Sequence, residues 1–222
     1  MHRVSSVRAL LFDLDGVLID TEPVWERVRR EYVGRRGVAW TQEIQAQMMG
    51  VRTDVWSGVM SNLVGGSPTA PEIAQQMIEE IATDYRRTLP SIAGADEVVR
   101  NLARHYPMGI ASGSPRALID LVLELLGVTT CFQSTLSSDD VVHGKPAPDP
   151  YIELARRLGF APTDCVAIED SANGIRSALA AEARVIAVPR GENQPERSLL
   201  ALCDSVLRDI TELTPELIGS LR

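Results

Sequence analysis

Cysteine is scarce in this chain: three residues, Cys131, Cys165 and Cys203, widely spaced and without a Cys-x-x-Cys pair. An odd, scattered set excludes a disulfide scaffold and a cysteine zinc site. Long apolar runs are missing too. The run after Arg3 and Arg8 extends only from Ala9 to Phe12 before Asp13 interrupts it, so no signal-peptide core is expected. Nothing approaches the ~18 apolar residues of a membrane span. Basic residues are outnumbered, with 22 Lys plus Arg against 30 Asp plus Glu and a formal net charge of −8. Such a surface repels a phosphate backbone, which argues against general nucleic-acid binding. The expectation is a reduced, cytoplasmic, monomeric protein that contacts neither membrane nor nucleic acid.

What is present is an ordinary globular composition, 45% hydrophobic and 23% charged over 222 residues. That length suits one domain, or one domain with an insert. Ala9–Phe12, Met108–Ala111, Val166–Ile168 and Val185–Val188 are short runs apolar on both faces, as in strands buried between two helix layers. Val206–Leu207 reads as a short edge strand. Between these runs lie helical patterns. Leu118, Leu121, Val122 and Leu125 share one face, as do Tyr151, Leu154, Ala155 and Leu158, and Ile175, Ala178 and Leu179 begin another. Ser114-Pro115 and Asp149-Pro150 read as helix starts, and Gly127 and Gly159 as helix ends. Alternation of this kind implies βαβ units and a parallel sheet.

Residues 20–89 break the rhythm. Val24, Val28 and Tyr32 fall on one helical face, Ile73, Met77 and Ile81 on another, and Thr69-x-x-Glu72 reads as a capping box. Met48, Met49 and Trp56 read as apolar core of the same region. The fold expected is α/β: a three-layer, Rossmann-like parallel-sheet core (1–19 and 90–222) with an inserted all-helical cap (20–89).

Chemistry concentrates where the strands end. The first strand runs into Asp13-Leu14-Asp15-Gly16, the second into Ser112-Gly113-Ser114, and the run at 166–168 into Glu169-Asp170-Ser171. Gly144-Lys145-Pro146 lies in a loop before a helix. In an open parallel sheet, ligands bind beyond the carboxyl ends of the strands. Singly, each feature also has a plain reading: an Asp capping a turn, Ser114 capping a helix, Lys145 solvated. Jointly they bring four carboxylates and one ammonium to one edge. Four such acids repel one another unless something neutralises them, and an oxygen-only donor set favours Mg2+ over zinc.

Phe-Asp-Leu-Asp-Gly-Val-Leu (12–18), Ala-Ser-Gly-Ser (111–114), Gly-Lys-Pro-Ala-Pro-Asp-Pro-Tyr (144–151) and Ile-Glu-Asp-Ser-Ala-Asn-Gly-Ile (168–175) resemble, in order, the four motifs of the haloacid dehalogenase superfamily. The closer resemblance is to its β-phosphoglucomutase-like and sugar-phosphatase branch, which has a helical cap. The resemblance implies a phosphoryl-transfer enzyme acting on a small phosphate ester. Asp13 would be the nucleophile and Asp15 the general acid and base. Ser112, the Gly113 N–H and Lys145 would hold the phosphoryl group. Mg2+ would be bound by Asp13, the Asp15 carbonyl and Asp170, with Glu169 as a direct or water-mediated ligand. A halide leaving group needs no proton, so the acid at position 15 speaks for a phosphate ester rather than a dehalogenase.

Three functions stay in play: a phosphatase, a hexose phosphate mutase, and a non-catalytic binding module, which would predict damaged motifs. Mutases of the branch carry a cap histidine twelve residues after the nucleophile, where this chain has Trp25. Asp20–Trp25 instead resembles the hexose-phosphate phosphatases. Substrate contacts are expected from Trp25, Arg52 and Ser114. For Trp25 the alternative is cap core, for Arg52 a solvated surface position. His143 reads as structural or exposed; His2 and His105 have no assigned role.

Overall fold

The computed structural model describes residues 7–48, 51–191 and 194–221; the readings of His2, Arg3 and Met49 lie outside them. Strand β1 (Ala9–Phe12) is followed by helices α1 (Glu22–Gly34), α2 (Gln42–Ala46), α3 (Thr53–Leu63), α4 (Ala70–Arg87) and α5 (Ala95–Leu102). Then come β2 (Met108–Ser112), α6 (Arg116–Leu126), β3 (Ser134–Ser137), α7 (Asp149–Leu158), β4 (Cys165–Glu169) and α8 (Ala172–Ala180). The chain closes with β5 (Arg184–Ala187), α9 (Arg197–Leu200), β6 (Ser205–Val206) and α10 (Pro215–Ser220). All strand pairs are parallel, in the order β3-β2-β1-β4-β5-β6.

The central strand explains the layering. Side chains alternate across a strand, so Leu10 and Phe12 enter one apolar cluster while Ala9 and Leu11 enter the other. The first cluster takes Val99 and Leu102 from α5 and Leu118, Ile119 and Val122 from α6. The second takes Tyr151 and Leu154 from α7 and Ile175 and Ala178 from α8. This is a three-layer, Rossmann-like α/β architecture. Helices α1, α3 and α4 pack on one another, and their buried Val28, Tyr32, Trp56, Met60, Ile73, Met77 and Ile81 continue the first cluster. The chain passes out to these helices and back through two adjacent segments. The Asp20 N–H donates to the Pro90 carbonyl at 2.8 Å, and the Ile92 N–H to that of Leu18 at 3.0 Å.

Several local expectations shift. Helix α6 starts at Arg116 with Pro115 at the capping position, so Ser114 is not its cap. Its hydroxyl faces a stronger acceptor, the Asp15 carboxylate. Helix α7 starts at Asp149, one residue early, and the Asp149 carboxylate accepts from the His143 N–H and lies 3.0 Å from its Nδ1. The edge strand is 205–206 rather than 206–207. Strand β3 is an addition: Ser-Thr-Leu-Ser lacks an apolar run, because an edge strand is half exposed. Gly127 and Gly159 do terminate their helices in the left-handed conformation.

Because Leu10 is fully buried, Leu10→Ala should destabilise the protein by ~2–5 kcal/mol. Leu125 is 42% exposed, and Leu125→Ala should stay within ~0.5 kcal/mol. Urea denaturation of the pair measures the contrast.

Candidate active site

In the order β3-β2-β1-β4-β5-β6 the chain changes direction across the sheet between β1 and β4, which opens a crevice at their carboxyl ends. Asp13 leaves the end of β1, with its N–H held by the Ile168 carbonyl of β4 at 2.9 Å. Glu169 is the last residue of β4, and Asp170 follows it. Their register therefore brings these three acids together: one carboxylate oxygen of each lies within 4.8 Å of the others.

Lys145 enters this acidic group from the loop before α7. Its Nζ lies 2.9 Å from Asp13 Oδ1 and 2.6 Å from Glu169 Oε1, with the three side chains 6%, 7% and 0% exposed. Burial alone would lower the lysine's proton affinity, but the charges of Asp13 and Glu169 outweigh it and hold the ammonium form. Asp13 is pushed well above the usual carboxylate range by burial, against the pull of Lys145. Asp170 is pushed up to about 8, by burial first and then by the Glu169 charge.

Glu169 has its own partners. The Tyr151 hydroxyl donates to Oε1 at 2.6 Å, while Oε2 accepts from the Asp170 N–H and from the Ser171 N–H and hydroxyl, at 3.2, 3.3 and 3.2 Å. With Lys145, its two oxygens serve five donors. Two glycines make room for the group. A Cβ on Gly16 would fall 1.9 Å from Asp170 Oδ2, and one on Gly174 would fall 1.8 Å from Glu169 Oε1. A hard divalent cation fits this cradle: the donors are all oxygen, and three carboxylates face one ammonium.

Asp15 is held from the second strand. Ser112 donates to Asp15 Oδ2 at 2.6 Å, and the Ser114 hydroxyl lies 3.1 and 3.0 Å from its two oxygens. The Ser114 N–H donates to Ser112 Oγ at 2.9 Å, which fixes that hydroxyl in turn. Ser112 is fully buried, whereas Gly113 and Ser114 line the cavity.

That cavity, of about 660 Å³, is lined by Asp13, Asp15, Lys145 and Asp170 of the acidic cluster and its surroundings and by Trp25, Arg29, Met48 and Trp56 of the helical segment. Trp25 packs as core of the helical segment and also reaches the cavity. It is 6% exposed, meets Trp56 edge to face at 5.5 Å, and still lines the cavity. Arg52 does neither thing expected of it. It is absent from the cavity lining. Its guanidinium donates to the Val141 and Val142 carbonyls, and Thr53 beside it donates to Asp139 from its N–H and hydroxyl at 3.1 and 2.6 Å. The loop carbonyls reach the cation first, so Arg52 ties α3 to the sheet's edge loop. The sequence reading missed Tyr151 as a polar partner and Arg29 altogether. A tyrosine on a buried helical face needs a hydrogen-bond partner, and Arg29 follows Trp25 by one helical turn; both signals were available.

A lysine-bridged cluster of carboxylates thus stands at the switch point of a Rossmann-like sheet, the place where an enzyme of this fold class holds its ligand. Comparison with known proteins gives the family. The model of haloacid dehalogenase-like hydrolases matches residues 7–182, and the chain belongs to that family. It is 31% identical to hexitol phosphatase B of Escherichia coli (strain K12), over 99% of this chain and 100% of the relative. It is also 31% identical to the fructose-1-phosphate phosphatase YqaB of the same organism, over 78% of this chain and 91% of the relative. Among solved structures, β-phosphoglucomutase from Clostridium difficile superposes with a TM-score of 0.80, covering 96% of this chain and 95% of that one, at 20% identity. That identity speaks for the fold.

The raised carboxyl of Asp170 sets a pH dependence. Its value of about 8, against about 3.9 when unfolded, means that the metal-free folded state retains a proton the unfolded chain releases. Stability should therefore fall as pH rises from 5 to 8, by on the order of 1 kcal/mol per pH unit. Asp170→Asn should reduce that slope in urea titrations at each pH, with Asp13, also raised by burial, supplying the remainder.

Proposed function

We propose that this hydrolase is a Mg2+-dependent phosphatase of small phosphate monoesters, sugar phosphates foremost. The observation that carries the reading is the buried Asp13–Lys145–Glu169 bridge beside Asp15 and Asp170. The names of the relatives, a hexitol phosphatase and a fructose-1-phosphate phosphatase, support sugar phosphates as the class to assay. Residues 20–89 act as the cap over this site. The protein works as a monomer in the cytoplasm, consistent with its free Cys131, Cys165 and Cys203; among the described residues no helix is long and apolar enough to cross a membrane.

In the reaction, an Asp13 oxygen attacks phosphorus in line with the ester oxygen, forming an aspartyl phosphate as the P–O bond to the alcohol breaks. Asp15 gives its proton to the departing alkoxide. It then takes a proton from the water that attacks phosphorus and frees Asp13. The hydroxyls of Ser112 and Ser114 orient the Asp15 carboxyl for both transfers. Lys145 lets an anionic nucleophile face an anionic ester, and Glu169 holds Lys145. The Gly113 N–H, with the Ser112 hydroxyl once Asp15 turns to substrate, receives phosphoryl oxygens. Asp13, Asp170 and the Asp15 carbonyl are the groups that would hold Mg2+, with Glu169 close behind. Mg2+ when bound offsets charge on the phosphoryl oxygens.

Asp13→Asn should lower phosphate release from a panel of sugar phosphates by on the order of 10³-fold or more while the far-UV circular dichroism of the native fold is retained. EDTA should abolish wild-type turnover and Mg2+ restore it. In thermal melts, Mg2+ at a hundredfold over its Kd should stabilise the protein by ~2.7 kcal/mol. Bisphosphate-stimulated isomerisation faster than phosphate release would replace this reading with a mutase.

A further inference from the structure

Arg29 projects from α1 and lines the cavity beside Trp25 and Met48 of the helical segment. It is 5% exposed. Its Nη2 makes one long hydrogen bond, 3.3 Å to the Met48 carbonyl, and its guanidinium lies 4.8 Å from the Trp25 ring centre. Nε and Nη1 are shut off from solvent and have no hydrogen-bond partner. Glu22 is the acid whose charge it feels most, yet the Glu22 carboxylate accepts from the Gln45 side-chain amide instead. The other cations lining the cavity are engaged: Lys145 with Asp13 and Glu169, Arg190 with Asp209 at 3.8 Å. Among the described residues, Arg29 is thus the cavity cation with no carboxylate in ion-pair range.

A buried charge without a counterion is costly, and an aromatic face recovers only part of the loss. Hydroxyls of a neutral sugar would satisfy N–H groups but leave the charge uncompensated. An anion would do both, and the guanidinium fork matches a carboxylate or phosphate. The cavity, at about 660 Å³, is large enough for a six-carbon ester. We infer that Arg29 makes the cavity selective for phosphate esters whose leaving group carries a second anionic group at the end remote from the reacting phosphate. This rests on the phosphatase reading of the same site.

Three esters of one carbon chain test it: sorbitol 6-phosphate, neutral at C1; 6-phosphogluconate, a carboxylate there; and sorbitol 1,6-bisphosphate, a second phosphate. Binding is measured calorimetrically in the Asp13→Asn protein with Mg2+, so the readout does not require turnover. Wild-type phosphate release, measured separately, reports on the phosphatase reading. The anionic esters should bind about tenfold or more tightly than the neutral one, consistent with a charge-assisted hydrogen bond. Preference for one of the two anionic esters identifies which group the site takes. Adding Arg29→Gln should bring the three constants to within about twofold of each other, and Arg29→Lys should keep most of the preference. Equal or tighter binding of the neutral ester, or no binding of any, overturns the inference without reference to the variants. So does an equal loss for all three in Arg29→Gln, which would make Arg29 a packing residue.

Discussion

The ion bridge from Lys145 to Asp13 and Glu169 is the interaction on which the site depends. Two carboxylates with side chains 7% and 0% exposed cannot both remain charged without a cation between them. Lys145 supplies it, and its own burial is tolerable only because both acids are there. Each partner is anchored in a different part of the fold: Asp13 at the end of β1, Glu169 at the end of β4, Lys145 in the loop before α7. The sheet register and the α7 packing therefore determine the electrostatics. Tyr151 makes the link explicit, since it fills the apolar layer under the sheet and donates to Glu169.

A second set of contacts joins the helical layer to this centre. The segments entering and leaving it run side by side, bonded at Asp20–Pro90 and Leu18–Ile92. Arg52 and Thr53 reach the loop at 139–142 from the other side. The α1 and α3 aromatics meet edge to face, and with Arg29 they line the same cavity as the carboxylates at the sheet edge. The cavity is thereby built from two different segments of chain.

The strands were legible from the runs 9–12, 108–111, 166–168 and 185–188, because each run is buried on both faces and is uninterruptedly apolar; the strands themselves start or end a residue or so away, at 112, 165, 169, 184 and 187. The edge strand 134–137 was not, because half of it meets solvent and its residues are mostly polar. Helix starts were legible to within a residue or two. The Ser114 cap failed because a competing acceptor, Asp15, stands 99 positions away in sequence. Arg52 and Arg29 failed in opposite directions for a similar reason. On a single helix or loop, an arginine bound by carbonyls of another segment looks the same as one facing a cavity.

By itself, the sequence determined the family and the alternating α/β plan and singled out the carboxylates that meet at the sheet edge, because those depend on residue type and on spacing within short segments. Only the tertiary structure decided which oxygen meets which donor. Glu169 turned out to serve Lys145, Tyr151 and its own backbone, Asp15 to be cradled by two serines, and Arg29 rather than Arg52 to face the cavity. Those outcomes depend on distances between segments far apart in the chain, which packing sets and local pattern does not encode.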